Sequence, residues 1–510
     1  TPTPTSTTPS LARPVSPLRE VFAIAGPTVA TMVSYTAMTF TDKWLVSRLG
    51  PEFVGAQGNG GLVAWVPQAF AYGMLQVVNT YVAQHLGAGR PRAGAAYAWN
   101  AIYLAALFAI LLQPVALLMP WVLRTASVDP TQAALANEYG RVLIWGCFLN
   151  MATRGLSQFF YGIHKAGVVM VAGIAANIFN LFISAVLVFG PSGDEYGLGF
   201  LGESSAWAAR VLGMEAGLGI AGSAWGTVLA TGLELAIPLA YFLSPSFAAR
   251  FGTRDRGAIR PSLDRLREIA TLGWPGGAMF VNEMVCWGFF MVYLVSHFGP
   301  AHASAGWAAH QYMSLSFMPA VGMSVATTAL VGSYIGKGRH DIAAARFWLA
   351  LRITAVYMGL CGVVFVVFRE PLIGFFVRED TDPALAAEMV RLGSLMLIAT
   401  AAFQLFDAGA MVTSGALRGA GDTFFPGIAT IVASWVVIVG GGLALTHWAP
   451  SLESLGAWIA AASYIVVLCL LLLWRFLGGH WKTIRLVEPA GGAESPTPIA
   501  QPGGGTTDGI

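Results

Sequence analysis

Four carboxylates stand inside otherwise apolar stretches of this 510-residue chain: Asp42, Glu234, Glu283 and Asp407. An acid in hydrocarbon is costly unless it is protonated, paired or facing a wet cavity, so each is a candidate for ion or proton chemistry. Trp287 lies four residues after Glu283 on the same helical face and would set a π surface beside a negative charge, as an organic cation requires. An acid hydrogen-bonded in a helix contact is the structural alternative. Asp407 shares its face with Gln404 and Met411, and Asp42 with Tyr35 and Met38, while Lys43 follows Asp42 directly. Arg154 lies 253 residues before Asp407, at its counterpart in an internal repeat described below. It either pairs with an acid beside a cleft or snorkels to the membrane interface.

The surrounding sequence dictates where these side chains sit. Hydrophobic residues make up 56% of the chain and charged residues 11%, too few to coat a water-soluble core. Apolar runs long enough to cross about 30 Å of hydrocarbon fall near 22–48, 59–83, 97–122, 137–161, 168–190 and 220–243, then near 271–297, 306–332, 345–368, 389–415, 422–446 and 453–476. The predicted architecture is an all-α polytopic membrane protein with twelve transmembrane helices in two six-helix lobes, 21–243 and 271–477. A cytoplasmic linker spans 244–270. The Thr/Pro/Ser-rich residues 1–20 read as a disordered tail, and 478–510 as a cytoplasmic, mostly disordered one. With both ends inside, 18 of the 28 Lys and Arg residues fall on the inner side and 7 in outer loops, which predicts cytoplasmic termini.

The lobes repeat one another. Gly26-Pro27 recurs as Trp274-Pro275, Gly87-Ala-Gly89-Arg90 as Gly336-Lys-Gly338-Arg339, and Asp129-Pro130 as Asp382-Pro383. Such repeats favour a transporter with its site at the lobe interface, although a duplicated scaffold gives the same pattern. A net charge of +2 without a basic block argues against nucleic acid. Gly217-Leu-Gly219-Ile-Ala-Gly222 matches a dinucleotide fingerprint but opens a membrane span, and Gly332 to Gly338 is one residue short of a phosphate loop. Nothing points to ATP, to a cofactor or to an enzyme. Cys147, Cys286, Cys361 and Cys469 lack metal-ligand or redox spacing and read as reduced packing residues.

The tenth span and the loop after it read Gln404-Leu-Phe-Asp407, then Ser414-Gly-Ala-Leu-Arg418-Gly-Ala-Gly-Asp422-Thr423, then Pro426. This resembles the multidrug and toxic compound extrusion (MATE) family. The same resemblance extends over Gly273-Trp-Pro275 with Glu283, over Ala308-Ala-His310-Gln311 with Phe317-Met318-Pro319, and over Val331-Gly to Gly338, so that it covers roughly residues 20–480. It implies a V-shaped pair of helix bundles in a plasma membrane, a bacterial inner membrane, with acids at Glu283 and Asp407 in cation binding. Asn180 fits the family's fifth-span Asn, but Ser184 stands four residues on where a second Asn or Asp is usual. Gly421 and Asp422-Thr423 also read as a turn and a cap for the next helix, and His310 with Gln311 as packing polar groups.

The expected function is antiport: export of small cationic or amphipathic compounds in exchange for sodium ions or protons. Glu283, Asp407, Asp42 and Asn180 would take the coupling ion, with sodium at Glu283 and Asp407. Tyr35, Trp287, Gln404, Met411 and Arg154 would line the cargo cavity. A flippase for lipid-linked precursors is the alternative, disfavoured by a mostly acidic set of cavity residues.

Overall fold

The computed structural model describes residues 16–125, 129–377 and 382–488, which are helices joined by short turns, with no strand among them. Eleven helices among the described residues are long and apolar enough to cross a membrane. In the first lobe they are Pro17–Ser47, Glu52–Gly87, Pro91–Thr125, Ala166–Tyr196 and Gly219–Phe242. In the second they are Leu263–Phe298, Pro300–Gly336, His340–Val367, Pro383–Ala420, Phe424–Trp448 and Ser454–Leu477. The remaining crossing, fourth in order, is made of Pro130–Trp145 and Cys147–Gly162, which meet at Gly146. A Cβ there would run into the Val228 side chain, so glycine permits the sixth span to pack close.

Helix starts follow local chemistry. Asp129 accepts hydrogen bonds from the Thr131 and Gln132 amides, and Asp382 from those of Ala384 and Leu385, each just ahead of a proline in the first turn. The repeated Asp-Pro pair is thus the same cap used twice. Helix also extends beyond the expected limits, because it is set by caps and not by hydropathy. The first span begins at Pro17 behind the Ser16 cap, inside the stretch read as tail, whose residues 1–15 lie outside those described. The seventh starts at Leu263, within the expected linker, and the tenth runs to Ala420, which puts Asp407 about 20 Å from its end. After the twelfth span, Trp481 stacks on Phe476 with centroids 5.0 Å apart, so part of the second expected tail is packed; 489–510 lie outside the described residues. An additional amphipathic helix, Phe200–Val211, sits between the fifth and sixth spans.

Where the lobes meet, the first span lies on the eighth and the second on the seventh, an exchange expected of a pseudo-two-fold. The second and eighth spans cross at Gly87 and Gly336. An added Cβ at Gly87 would overlap the Ser333 carbonyl, and one at Gly336 the Gln84 carbonyl. Asn79 donates to the Val325 carbonyl at 3.2 Å, Thr80 to that of Arg418 at 2.8 Å and Gln84 to that of Gly419 at 3.0 Å.

Two acids complete this closure. Glu20 in the first span reaches Arg346 of the ninth at 2.6 Å and accepts from Tyr334 of the eighth at 2.6 Å. Its counterpart 248 residues on, Glu268 of the seventh span, accepts from Tyr97 of the third at 2.6 Å. Among the described residues every hydrogen bond between the two lobes falls in the half that holds the start of the first span, Pro17, and the end of the twelfth, Leu477. The lobes are therefore fastened at that end, and the cleft between them faces the other way.

Candidate functional site

In the second lobe the seventh span carries Glu283 between two polar anchors. Asn282 donates to Ser434 Oγ at 2.8 Å and accepts from Trp435 Nε1 at 2.7 Å, which fixes this turn against the eleventh span. Both helices are locally widened into π turns, Phe290–Val295 and Ser434–Gly440, a departure common beside functional sites. Trp287 stands edge-on to Phe290 at 5.3 Å and to His310 at 5.9 Å. His310 also meets Trp307 at 5.7 Å, so it is packed within an aromatic group.

Asp407 is buried on the tenth span. One turn earlier Gln404 donates to Ser316 Oγ at 3.0 Å, leaving its own Oε1 buried without a partner. Met411 packs against the eighth and ninth spans, and its carbonyl accepts from Ser324 at 2.8 Å. Neither Glu283 nor Asp407 accepts a hydrogen bond from any described residue. The seventh and tenth spans both pack on the twelfth, Phe290 of the seventh against Trp458 and Gly409 of the tenth against Cys469. Two acids with free oxygens deep in one membrane lobe are a candidate seat that a cation or proton would satisfy.

The first lobe holds two rungs between the first and sixth spans, one helical heptad apart. In one rung Asp42 accepts from Thr227 Oγ1 at 3.1 Å while its other oxygen, Oδ1, is buried and unpartnered. Asn180 donates to Ser184 at 3.3 Å, and its own Oδ1 is also buried without a partner, as is Gln57 Oε1. Orphaned oxygens from a carboxylate and two amides suit a hard cation or a proton. Ser184 thus adds a neutral oxygen where a second acid would have added charge. Lys43 is exposed and makes no ion pair with Asp42.

In the other rung Tyr35 donates to Glu234 at 2.5 Å. The Arg154 guanidinium stacks over the Tyr35 ring at 3.9 Å and over Tyr72 at 5.0 Å. It makes no ion pair with any described residue, and it does not snorkel out either, since its Nε is buried. Tyr72 in turn meets Phe280 of the seventh span at 5.4 Å, so an aromatic floor joins the two lobes beneath the cleft.

The turn after the tenth span departs from the reading of Asp422-Thr423 as a cap. Gly421 takes a left-handed φ of 92°, as the turn requires, but the helix Phe424–Ala433 has no side-chain cap. Asp422 pairs instead with Arg475 of the twelfth span at 2.8 Å, and Thr423 donates to the Leu272 carbonyl at 2.6 Å. Among the described residues no cluster of three or more His, Cys, Asp or Glu side chains has metal-binding geometry.

Thr227, Gln57, Tyr72 and the pair Glu20 and Glu268 escaped the sequence reading. For Thr227 a signal was present, since Thr227 and Glu234 repeat on the sixth span the seven-residue spacing of Tyr35 and Asp42 on the first.

The MatE family model matches residues 27–186 and 278–442. The chain is 27% identical to a probable multidrug resistance protein NorM of Pseudomonas putida, over 94% of this chain and 97% of that one. It is 29% identical to a multidrug resistance protein NorM of Burkholderia vietnamiensis, over 91% and 94%. Among solved structures, a MATE protein in a bent conformation superposes with a TM-score of 0.75 at 21% identity, covering 92% of this chain and 97% of that one. A MOP superfamily transporter of Pyrococcus furiosus, described as having a binding pocket of reverse polarity, superposes at 0.78 with 20% identity, over 92% and 98%.

Proposed function

The chain belongs to the MatE family and is a multi-pass membrane transporter of the multidrug efflux type, and from that premise we propose that it exports small cationic or amphipathic compounds by exchange for sodium ions or protons. The observation that carries this reading is the pair Glu283 and Asp407, with carboxylate oxygens that no described residue hydrogen-bonds, beside Trp287. An ion or a proton neutralises the pair in one state, and a cationic guest does so in the other. Occupancy is mutually exclusive, which couples the two fluxes. Asp42 and Asn180 form a further ion seat in the first lobe.

The positive-inside bias supports cytoplasmic termini, and the membrane in this reading is a bacterial inner membrane. The conformation described is then outward-facing, with Glu20, Glu268 and the glycine crossing sealing the cytoplasmic end. Energy comes from the ion gradient, since one charge moved across 100 mV supplies about 2.3 kcal/mol. No ATP and no cofactor is required.

Proteoliposomes test this reading. Ethidium should move when a sodium or a proton gradient is imposed, and imposing each alone identifies the coupling ion. Dye that responds to neither gradient contradicts antiport. A lipid-linked pyrophosphate moved in its place would favour a flippase.

A further inference from the structure

The helix Phe200–Val211 is built inside out. Gly202, Ser205, Ala206 and Ala209 are turned toward the protein, while Phe200, Trp207 and Val211 are 84%, 67% and 66% exposed. Those three stand seven and four residues apart, so they form one stripe along the outer face. A helix resting on a lobe in water turns its large apolar residues inward. Under lipid the arrangement reverses, because small residues let a helix pack closely and large ones can face hydrocarbon.

The surroundings of this helix are those of a membrane surface. The fifth span starts at the closed end, where His164 meets the Ala329 carbonyl of the eighth span at 3.4 Å, and runs outward to Phe189. The chain then makes a detour and returns to the same spot, where the Leu218 amide donates to the Leu187 carbonyl at 2.7 Å. Within the detour the helix lies so close on the 3₁₀ stretch Gly190–Tyr196 that a Cβ at Gly202 would overlap the Gly193 carbonyl, and Arg210 is tied to Asp194 at 2.9 Å. Leu198 and Leu201 join an apolar cluster with Leu181, Ala185 and Phe189 of the fifth span and Leu45 of the first, so the helix packs on the fifth span itself. That span carries an exposed stripe of its own, Val171, Ile174, Ile178 and Phe182, which a bilayer covers. The helix sets a second apolar stripe beside its outer end.

Charge selects the part of the bilayer that fits. Between Gly190 and Leu218 stand Asp194, Glu195, Glu203 and Glu215 against Arg210 alone, so anionic headgroups repel this segment and apolar burial must hold it.

We propose that Phe200, Trp207 and Val211 seat this helix in the leaflet at the open end of the cleft, at the boundary between headgroups and acyl chains, as a membrane anchor for the first lobe. The occupant of the face is lipid, and neutral lipid suffices. Leu45 and Ala185 of the anchored cluster follow Asp42 by three residues and Ser184 by one, so the anchor fixes the depth of the outer ends beside the first-lobe acid. None of this depends on what the protein carries.

Fluorescence quenching tests the proposal. In a variant without the four native cysteines, Phe200→Cys, Trp207→Cys and Glu195→Cys are each labelled with a nitrobenzoxadiazole dye, and the full chain is placed in phosphatidylcholine nanodiscs, which leave both faces open to the buffer. All three positions are exposed, so the changes leave packing intact. Labels replacing Phe200 and Trp207 should emit at shorter wavelength than the label replacing Glu195. They should also be quenched several-fold more by a nitroxide on the upper acyl chain than by iodide in the buffer, with the reverse for Glu195. A second reading keeps the native cysteines: the tryptophan emission lost on Trp207→Phe should be a component that the acyl nitroxide quenches and iodide does not. Iodide quenching at Phe200 and Trp207 equal to that at Glu195 would put the face in water and overturn the proposal. Protection from both quenchers would put it under protein, such as a second copy of the chain, and overturn it as well.

Discussion

At the scale of single residues, the proposed function rests on side chains that lack a partner. Glu283 and Asp407 have no hydrogen-bond donors among the described residues, whereas acids of structural use are tied down, Asp422 by Arg475 and Glu20 by Arg346 and Tyr334. Glu283→Gln or Asp407→Asn should therefore lower gradient-driven ethidium flux by about tenfold or more in proteoliposomes while leaving thermal stability near that of wild type, since no protein hydrogen bond is lost. Neutralising Asp422 should do the reverse. Asp422→Asn breaks a tie between the tenth and twelfth spans and should lower the melting temperature in detergent, at a cost of about 3 kcal/mol for a buried ion pair that loses one partner. The acids were legible because charge in hydrocarbon is rare. Gln57 and Thr227 were not, because neutral oxygens are common on membrane helices and only the register between two helices tells which ones converge.

Helices and their crossings fix how near these groups come. Span number and order follow from hydropathy, so the twelve crossings and the repeat could be read directly. Ends could not, because caps and prolines set them: helix starts at Pro17 and Leu263 in stretches polar enough to pass for tail and linker. Those added turns matter, since they carry Glu20 and Glu268. The crossing of the second and eighth spans depends on glycine, where a side chain would collide with backbone carbonyls. Gly87→Leu should push the spans apart and cost about 1–3 kcal/mol, read as a lower melting temperature. In a variant lacking the four native cysteines, Ser333→Cys should also label faster with maleimide once Gly87→Leu is added.

For the whole molecule, the two lobes are fastened at the end where the first span starts by two related acids from opposite lobes. Glu20→Gln combined with Glu268→Gln should raise the fraction open at that end, seen as a longer distance between spin labels on the two lobes there, with each single change giving a smaller shift. Closure of this kind was beyond sequence reading, because each acid lies near a helix start and its partner sits in the other lobe. The account's central claim is that an ion and a guest take turns at Glu283 and Asp407. Equilibrium binding of ethidium to purified protein, measured by fluorescence as sodium or protons are added, tests this most directly. Apparent dissociation constants should rise in proportion to the competing ion in wild-type protein, and the dependence should vanish in the Glu283→Gln/Asp407→Asn double variant. Dye affinity indifferent to both ions in wild-type protein, or still ion-sensitive in the double variant, would contradict it.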